Sequence, residues 1–152
     1  MFQIHHQSAR STPFVITLDG PTASGKGAVA QVLATHLGFA YLDSGALYRL
    51  IALLALRSGW RVDREVSAAD EVRLAEWALN LNVSFEGESI FLGGENVAQS
   101  IREEEVGNMA SKIAVCAQLR AALLDRQRHF AEGTGLVADG RDMGSVVFPN
   151  AP

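Results

Sequence analysis

The residues best suited to chemistry form one glycine-rich segment, Gly20-Pro21-Thr22-Ala23-Ser24-Gly25-Lys26-Gly27, which matches the pattern G-x-x-x-x-G-K. Glycines allow successive backbone N–H groups to face one concavity, and the N-terminus of a following helix adds partial positive charge. Lys26 adds a mobile cation that can follow the charge on the β- and γ-phosphates of a nucleotide. The segment therefore predicts a loop that binds a polyphosphate.

The surroundings of this segment support the prediction. A short apolar run over 14–18 precedes it, and apolar residues at helical spacing (Val29, Val32, Leu33 and Leu37) follow it. This strand-loop-helix order is the context that the phosphate-binding pattern needs. The alternative, a glycine-rich turn with an incidental lysine, leaves that context unexplained.

The chain before residue 60 reads as strand, helix, strand, helix. The apolar runs over 14–18 and 39–42 are of the kind found in strands buried on both faces of a parallel sheet. Gly38 is placed to end the first helix, and Asp43-Ser44 to cap the second. The alternation is typical of an α/β fold.

The pattern changes after residue 60. The predicted elements are a helix over 70–81, strands over 83–85 and 90–92, a turn over 93–96, helices over 104–116 and 118–132, and a buried strand over 136–138. We interpret 62–102 as an inserted subdomain within one domain that spans 14–152 and follows a tail over 1–13. Three parallel strands are few for this architecture, so further C-terminal strands are expected to be missing.

Composition narrows the class of protein. The sequence is 48% apolar and 20% charged, which is typical of a globular protein. Its formal net charge of −4, with no lysine- or arginine-rich block, argues against a nucleic-acid partner. The longest apolar stretch, 50–56, is far shorter than the ~20 residues of a membrane helix, and no signal-peptide pattern is present. We expect a cytoplasmic monomer with one free thiol, Cys116, and no disulfide.

Four blocks resemble the cytidylate kinase family and follow the family's order: residues 16–21, 25–27, 42–49 and 138–144. A weaker stretch over 101–128 also fits the family. Two of the four blocks separate this family from adenylate and thymidylate kinases, namely Asp43-Ser44-Gly45-Ala46-Leu47-Tyr48-Arg49 and Asp139-Gly140-Arg141-Asp142-Met143-Gly144. The resemblance covers 14–152. It implies a P-loop NTPase fold of the nucleoside monophosphate kinase type, a three-layer sandwich with a parallel central sheet and a small inserted acceptor-binding subdomain. It also implies C-terminal truncation, with an arginine-rich lid missing.

The resemblance implies an ATP-dependent kinase that uses Mg²⁺ and phosphorylates CMP and dCMP in pyrimidine nucleotide metabolism. The ATP-binding residues that it implies are Gly20, Pro21, Thr22, Ala23, Ser24, Gly25, Lys26, Gly27 and Ala28. The implied CMP-binding residues are Ser44, Arg49, Ser111, Arg120, Arg141 and Asp142. Lys26, Arg49 and Arg141 would stabilise charge during transfer. Asp139 would organise the Mg²⁺ shell through water.

The residue types suit these implied roles. The planar fork of arginine pairs with two phosphate oxygens at once, which fits Arg49 and Arg141. Cytosine presents an N4 amino donor where uracil presents an acceptor, so the Asp142 carboxylate would be satisfied by the first and repelled by the second. A plain helix cap at Ser44 and a surface charge at Arg49 remain alternatives.

One departure from the family concerns Ala28, which stands where the family has threonine or serine. The missing hydroxyl predicts a weaker contact with phosphate or metal. The alanine and the early end of the sequence favour one alternative, a catalytically impaired nucleotide-binding fragment. A P-loop kinase for another small acceptor is a second alternative. Without the lid, poor activity or none is expected, since a lid excludes water and adds charge stabilisation.

Overall fold

A computed structural model describes residues 15–19, 26–130 and 135–140 of the chain. The chain divides into two compact units. The first is formed by Met1–Ser44 with Gln127–Pro152, and the second by Gly45–Arg126. The second unit contains the residues for which the sequence predicts an inserted subdomain; that subdomain stays a prediction.

The described residues form strands and helices that alternate first and then separate into two groups. In chain order they are β1 (Val15–Asp19), α1 (Lys26–Leu37), β2 (Ala40–Asp43), α2 (Ser44–Arg57), α3 (Ala68–Leu79), β3 (Val83–Glu86), β4 (Ser89–Leu92), β5 (Glu95–Asn96), a 3-10 turn (Ser100–Arg102), α4 (Glu104–Ile113), α5 (Ala117–Phe130) and β6 (Leu136–Gly140).

The first unit contains a parallel sheet with the strand order β1-β6-β2, which confirms the predicted α/β class. The last strand in the sequence is the central one. Asp139 of β6 is paired with Leu18 of β1 and with Asp43 of β2, so the three strands end at the same level. The segments that follow these strands therefore leave from one edge of the sheet, the edge where open α/β sheets bind ligands.

Helix α1 packs on this sheet through small residues. Ala30 and Ala34 are buried against Val137 of β6, with Leu33 and Phe39 beside them. Val29 and Val32, which the sequence pattern assigned to the apolar face, are 58% and 60% exposed in the described structure. Alanines on the inner face let a helix approach a sheet closely, so volume as well as hydropathy selects the buried face.

Gly38 ends α1 as predicted, since it adopts the left-handed backbone conformation with a φ of 67°. Glycine takes this conformation without steric cost, which is why it is common just past helix ends. The backbone N–H of the next residue, Phe39, donates to the carbonyl of Ala34 and leads directly into β2. The short connection fixes where the second strand begins.

The second unit is built around α2. Its buried residues occur on all sides of the helix: Ala46, Leu47, Leu50, Ile51, Ala52, Leu53 and Ala55. A helix that is apolar all round belongs in a protein core. The other large, fully buried side chains of this unit are Leu74, Val97, Met109, Ile113, Leu119 and Leu123.

Strands β3, β4 and β5 form an antiparallel sheet in the second unit. The first two strands confirm the prediction. Glu95 and Asn96, predicted as part of a turn, instead pair with β4. The strand is held by Val97, which is fully buried and whose N–H donates to the Ile90 carbonyl at 2.8 Å, and by an ion pair between Arg57 and Glu95 at 2.8 Å.

Helix α3 begins at Ala68, earlier than the predicted residue 70, because Ser67 caps it. The Ser67 hydroxyl accepts from the Asp70 N–H, and the Asp70 carboxylate accepts from the Ser67 N–H at 3.0 Å. Arg64 donates to both oxygens of the same carboxylate, at 2.9 and 3.0 Å. This reciprocal capping satisfies N–H groups at the helix start that would otherwise lack a partner.

These contacts make the stability of the second unit sensitive to acid. The hydrogen bond from the Ser67 backbone, aided by the Ser67 hydroxyl and by Arg64, holds the pKa of Asp70 below its ordinary value. The stabilisation is present above about pH 4 and is lost as the pH falls through the lowered pKa, where the folded state must also take up the proton. We expect Asp70→Asn to unfold at lower urea concentration than the parent at pH 7, with the difference shrinking below pH 4.

Urea titrations followed by tryptophan fluorescence at pH 7, 5, 4 and 3 measure this difference. Asp63→Asn is the matched control, because the Asp63 side chain is 72% exposed and pairs with Arg61 at a loose 3.2 Å. A difference between the Asp70→Asn variant and the parent that stays constant down to pH 3 would contradict the assignment.

Helices α4 and α5 confirm the two predicted helices, although both bounds differ at the junction. The first ends at Ile113, and the second begins at Ala117. Glu104 and Glu105 lie in the first turn of α4, where carboxylates interact favourably with the helix dipole. Within the described ranges, no helix combines the length and the apolar character that crossing a membrane requires.

Candidate functional site

The predicted phosphate loop connects the carboxyl end of β1 to the first turn of α1. The residues Gly20, Pro21, Thr22, Ala23, Ser24 and Gly25 lie outside the described residues. Asp19 ends the strand before them, and Lys26 and Gly27 begin the helix after them. The strand-loop-helix context that the motif requires is therefore confirmed, although the loop's own geometry is not described.

Ala28 is the third residue of α1, and its side chain is exposed. This position belongs to the first turn, whose backbone N–H groups have no partner within the helix and are available to an anion. An exposed methyl group leaves room for a hydroxyl. The packing of the described residues therefore does not require an alanine at this position.

The segments that follow β2 and β6 carry the next predicted residues. Asp43 is the last residue of β2 and Ser44 is the first residue of α2, so no loop separates the strand from the helix. Arg141 and Asp142 follow Gly140, the last residue of β6, and lie outside the described residues. The loop after β1, Ser44 after β2 and this pair after β6 leave from neighbouring strands at one sheet edge.

The backbone also places three aspartates at this edge: Asp19 and Asp43 are the last residues of their strands, and Asp139 is the last but one residue of β6. Carboxylate oxygens are the ligands that Mg²⁺ prefers, together with water and substrate phosphates. The donor type therefore suits the expected ion. Among the side chains that the structure describes, no group of three or more His, Cys, Asp or Glu residues is arranged to hold a metal.

Arg49 lies in α2, one turn after Ser44, and is partly buried in the second unit. Its Nη1 donates a hydrogen bond to the backbone carbonyl of Ile101 at 2.8 Å. The flat guanidinium group lies against Gly107 of α4: a Cβ atom added to that glycine would be 3.3 Å from Nη2 and 3.4 Å from Nη1. The interaction gives the guanidinium a defined position before any ligand is bound.

Arg120 contacts the residue beside Arg49. Burial raises the pKa of Tyr48, while the charge of Arg120 and a hydrogen bond with it act in the opposite direction. The phenol is thus kept protonated through the neutral range and lies within hydrogen-bonding reach of the Arg120 guanidinium. Arg120 is otherwise exposed near the start of α5.

Ser111 lies on α4 and is exposed. It is four residues after Gly107, and residues at this spacing share one face of a helix. Arg49 therefore lies over the helix face that carries Ser111, and Arg120 lies beside Tyr48. The sequence-predicted acceptor residues of the second unit are linked through Tyr48 and Gly107.

Three of the residues that form these contacts were not singled out from the sequence: Tyr48, Ile101 and Gly107. One signal was available for Gly107, because glycine inside a helical pattern costs about 1 kcal/mol relative to alanine and usually has a packing or functional reason. Ile101 contributes through its backbone carbonyl, for which the side-chain type carries no signal.

A family model described as cytidylate kinase matches residues 16–152 of this chain. Curated relatives carry the same description. The protein called cytidylate kinase from Bordetella pertussis is 55% identical over 144 residues, which cover 95% of this chain and 61% of that protein. The protein of the same name from Nitrosomonas europaea is 52% identical over 137 residues, covering 90% of this chain and 59% of that protein.

A third relative, called cytidylate kinase from Pasteurella multocida, is 52% identical over 145 residues and is covered to 61% of its length. The chain thus spans about three-fifths of the length of the curated relatives that it matches. The match includes both sequence blocks that distinguish the family, around Ser44 and around Arg141.

Proposed function

This chain belongs to the cytidylate kinase family, and on that basis we propose that it transfers the γ-phosphate of ATP to CMP and dCMP. The proposal rests above all on one observation. A G-x-x-x-x-G-K loop, Ser44 and the Arg141-Asp142 pair follow three neighbouring parallel strands at the same sheet edge. The proposed products are CDP and dCDP, as part of pyrimidine nucleotide metabolism. We further propose that the protein acts as a monomer in the cytoplasm.

On the donor side, residues 20–28 would bind the phosphates of ATP. The backbone N–H groups of the loop and of the first turn of α1 supply hydrogen bonds to the anion. Lys26 would hold a β- or γ-phosphate oxygen and neutralise charge as the phosphoryl group moves. This role depends on a flexible, strongly charged side chain at the N-terminal end of a helix.

On the acceptor side, Arg49 and Arg141 would bind the phosphate of CMP. Two arginines suit this task because an acceptor and a donor that are both anions repel each other in water, and charge-assisted pairs offset that repulsion. Ser44 would add a hydrogen bond from the start of α2. The position of Arg49 against Ile101 and Gly107 supports a preformed phosphate contact.

Base recognition would use Asp142, Ser111 and Arg120. Asp142 would accept a hydrogen bond from the N4 amino group of cytosine, which uracil lacks. A site that provides a buried polar partner discriminates strongly against a ligand that leaves this partner unsatisfied. Arg120 lies near the Tyr48 phenol at the start of α5.

Asp139 would organise Mg²⁺ through bound water. The ion, when bound, would neutralise charge on the phosphates of ATP. The remaining work falls on the chain's own residues. They would align an oxygen of the CMP phosphate with the γ-phosphorus, so that the new P–O bond forms as the bond to the β,γ-bridging oxygen breaks and ADP leaves. No protein nucleophile is needed.

A coupled assay for ADP release with ATP, Mg²⁺ and CMP tests the proposal. We expect turnover that depends on CMP or dCMP and is much weaker with UMP and AMP. A faster rate with AMP or UMP would favour the kinase for another acceptor. Absence of turnover, combined with saturable ATP and CMP binding in calorimetric titrations, would favour the impaired nucleotide-binding fragment. Absence of both binding and turnover would contradict the proposed function.

Ala28 allows a gain-of-function prediction. We expect Ala28→Ser to lower the KM for ATP by about 2- to 10-fold, because a hydroxyl in the first turn of α1 would add one hydrogen bond to phosphate or to metal-bound water. The KM for CMP should not change. Steady-state kinetics with varied ATP measures the effect, and Ala68→Ser, at an exposed first-turn position of α3, is the control. An unchanged or higher KM for ATP in the Ala28→Ser variant would contradict the role of this position.

A further inference from the structure

We infer that Gly107 is a positioning residue for Arg49 and thereby sets the affinity of the protein for its acceptor phosphate. The inference rests on the proposed function, in which Arg49 binds the phosphate of CMP. It assigns a role to a residue of α4 that is not among the site residues predicted from the sequence. Its basis is the pair of contacts that hold the guanidinium in the second unit.

The first contact fixes one end of the guanidinium. Nη1 of Arg49 donates to the Ile101 carbonyl at 2.8 Å, across 52 residues of sequence. Ile101 itself is 3% exposed and lies in the 3-10 turn directly before α4, so its carbonyl is held by buried packing. Among the residues that the structure describes, Ile101 is the one hydrogen-bond partner of this guanidinium.

The second contact fixes the plane of the group. A Cβ atom at position 107 would lie 3.3 Å from Nη2, 3.4 Å from Nη1 and 3.5 Å from Cζ of Arg49. The first of these distances is tighter than an ordinary van der Waals contact. The guanidinium therefore packs against the backbone of Gly107, and a side chain at this position would displace it by a few tenths of an ångström.

The local backbone does not explain why residue 107 is glycine. Gly107 lies inside α4, and its N–H donates to the Glu103 carbonyl at 3.1 Å as in a regular helical turn. Alanine would favour the helix at such a position, since it loses less conformational entropy on folding. The space required by Arg49 is the feature that opposes alanine here. Helix stability and acceptor binding thus pull in opposite directions at this residue.

These opposing effects predict the direction in which each measured value should change. We expect Gly107→Ala to raise the KM for CMP, and the dissociation constant of CMP measured by calorimetry, by roughly tenfold, because a shift of a few tenths of an ångström misaligns the arginine fork. The KM for ATP should not change, and the melting temperature should not fall. Asn108→Ala, at the exposed neighbouring position of α4, is the control and should leave all of these values unchanged.

A double-mutant cycle with Arg49→Lys tests whether the effect acts through Arg49. Lysine has no planar group to place over residue 107, so Gly107→Ala should cause no further rise in the dissociation constant of CMP in that background. In the Arg49→Lys background, Gly107→Ala should raise the melting temperature by more than it does when Arg49 is present. Equal effects of Gly107→Ala in both backgrounds would overturn the inference.

The two readouts also separate this inference from the proposed function. Coupling in melting temperature reports the contact between Arg49 and Gly107 and needs no nucleotide. If that coupling is found but the parent protein neither binds nor phosphorylates CMP, the proposed function fails, and the acceptor role of Gly107 is overturned with it. If the parent binds CMP but the coupling is absent, the proposed function stands and Gly107 has no positioning role.

Discussion

Replacing Lys26 by alanine is expected to lower the rate of CMP phosphorylation by on the order of 10³-fold or more, while the protein stays folded. Lys26 is the first residue of α1, directly after the phosphate loop. A cation at this place neutralises charge that grows on the transferring group, so its loss raises the barrier more than it weakens binding of ATP. The backbone of the first helical turn remains available for the phosphates.

Single-turnover measurements with saturating ATP and CMP provide the rate, and circular dichroism checks the fold. The sequence offers a matched control, because Lys112, in α4, is its other lysine. Lys112→Ala should turn over at the parental rate. Unimpaired turnover in the Lys26→Ala variant would refute the assignment of the loop as the catalytic phosphate site.

The elements of the fold could be predicted because their sequence signals are local. The apolar run that forms β1 and the glycine that ends α1 each act within a few residues, and both were located correctly. The central place of β6 was not predictable in this way. It lies between β1 and β2 although 92 residues separate it from the end of β2, and no local pattern encodes such a return.

The errors in the predicted buried face of α1 and in the predicted turn over 93–96 have a different origin. In both cases specific contacts override the local sequence pattern. The hydropathy of Val29 and Val32 suggested an inner face for α1, but the tightly packed sheet selects Ala30 and Ala34. Similarly, the turn was predicted over 93–96, yet Glu95 and Asn96 pair with β4 next to the buried Val97. Packing volume and burial decided both cases, and neither follows from hydropathy alone.

The candidate-site residues likewise fall into two groups, those predicted from the local sequence and those that only the fold brings together. Lys26 is expected from the spacing of the phosphate-loop motif, whereas Arg49 and Asp142 are expected from the resemblance of their sequence blocks to the family. The contacts around Arg49 could not be predicted in this way. Its partners Ile101 and Gly107 lie more than 50 residues away and act through a carbonyl and a missing side chain. Residue type alone gives little sign of such contacts, which only the folded chain reveals.

Arg49→Lys should raise the KM for CMP by about 10- to 100-fold, because lysine keeps the charge but loses one of two hydrogen bonds to the phosphate. A hydrogen bond to a charged group contributes about 1.5–3 kcal/mol, and 1.4 kcal/mol corresponds to a factor of ten. The KM for ATP should stay within about twofold of the parental value, since the donor phosphates are assigned to other residues.

The choice of base provides the decisive readout, since Arg49 is assigned to the phosphate and Asp142 to cytosine. Arg49→Lys should therefore weaken CMP and UMP by the same factor and leave the ratio of their kcat/KM values unchanged, whereas Asp142→Asn should reduce that ratio. Arg102→Lys, at an exposed position beside Ile101, is the control for an arginine-to-lysine change in the same region. A changed CMP-to-UMP ratio in the Arg49→Lys variant would place Arg49 at the base instead. A parental KM for CMP would leave its guanidinium a purely structural link between α2 and the start of α4.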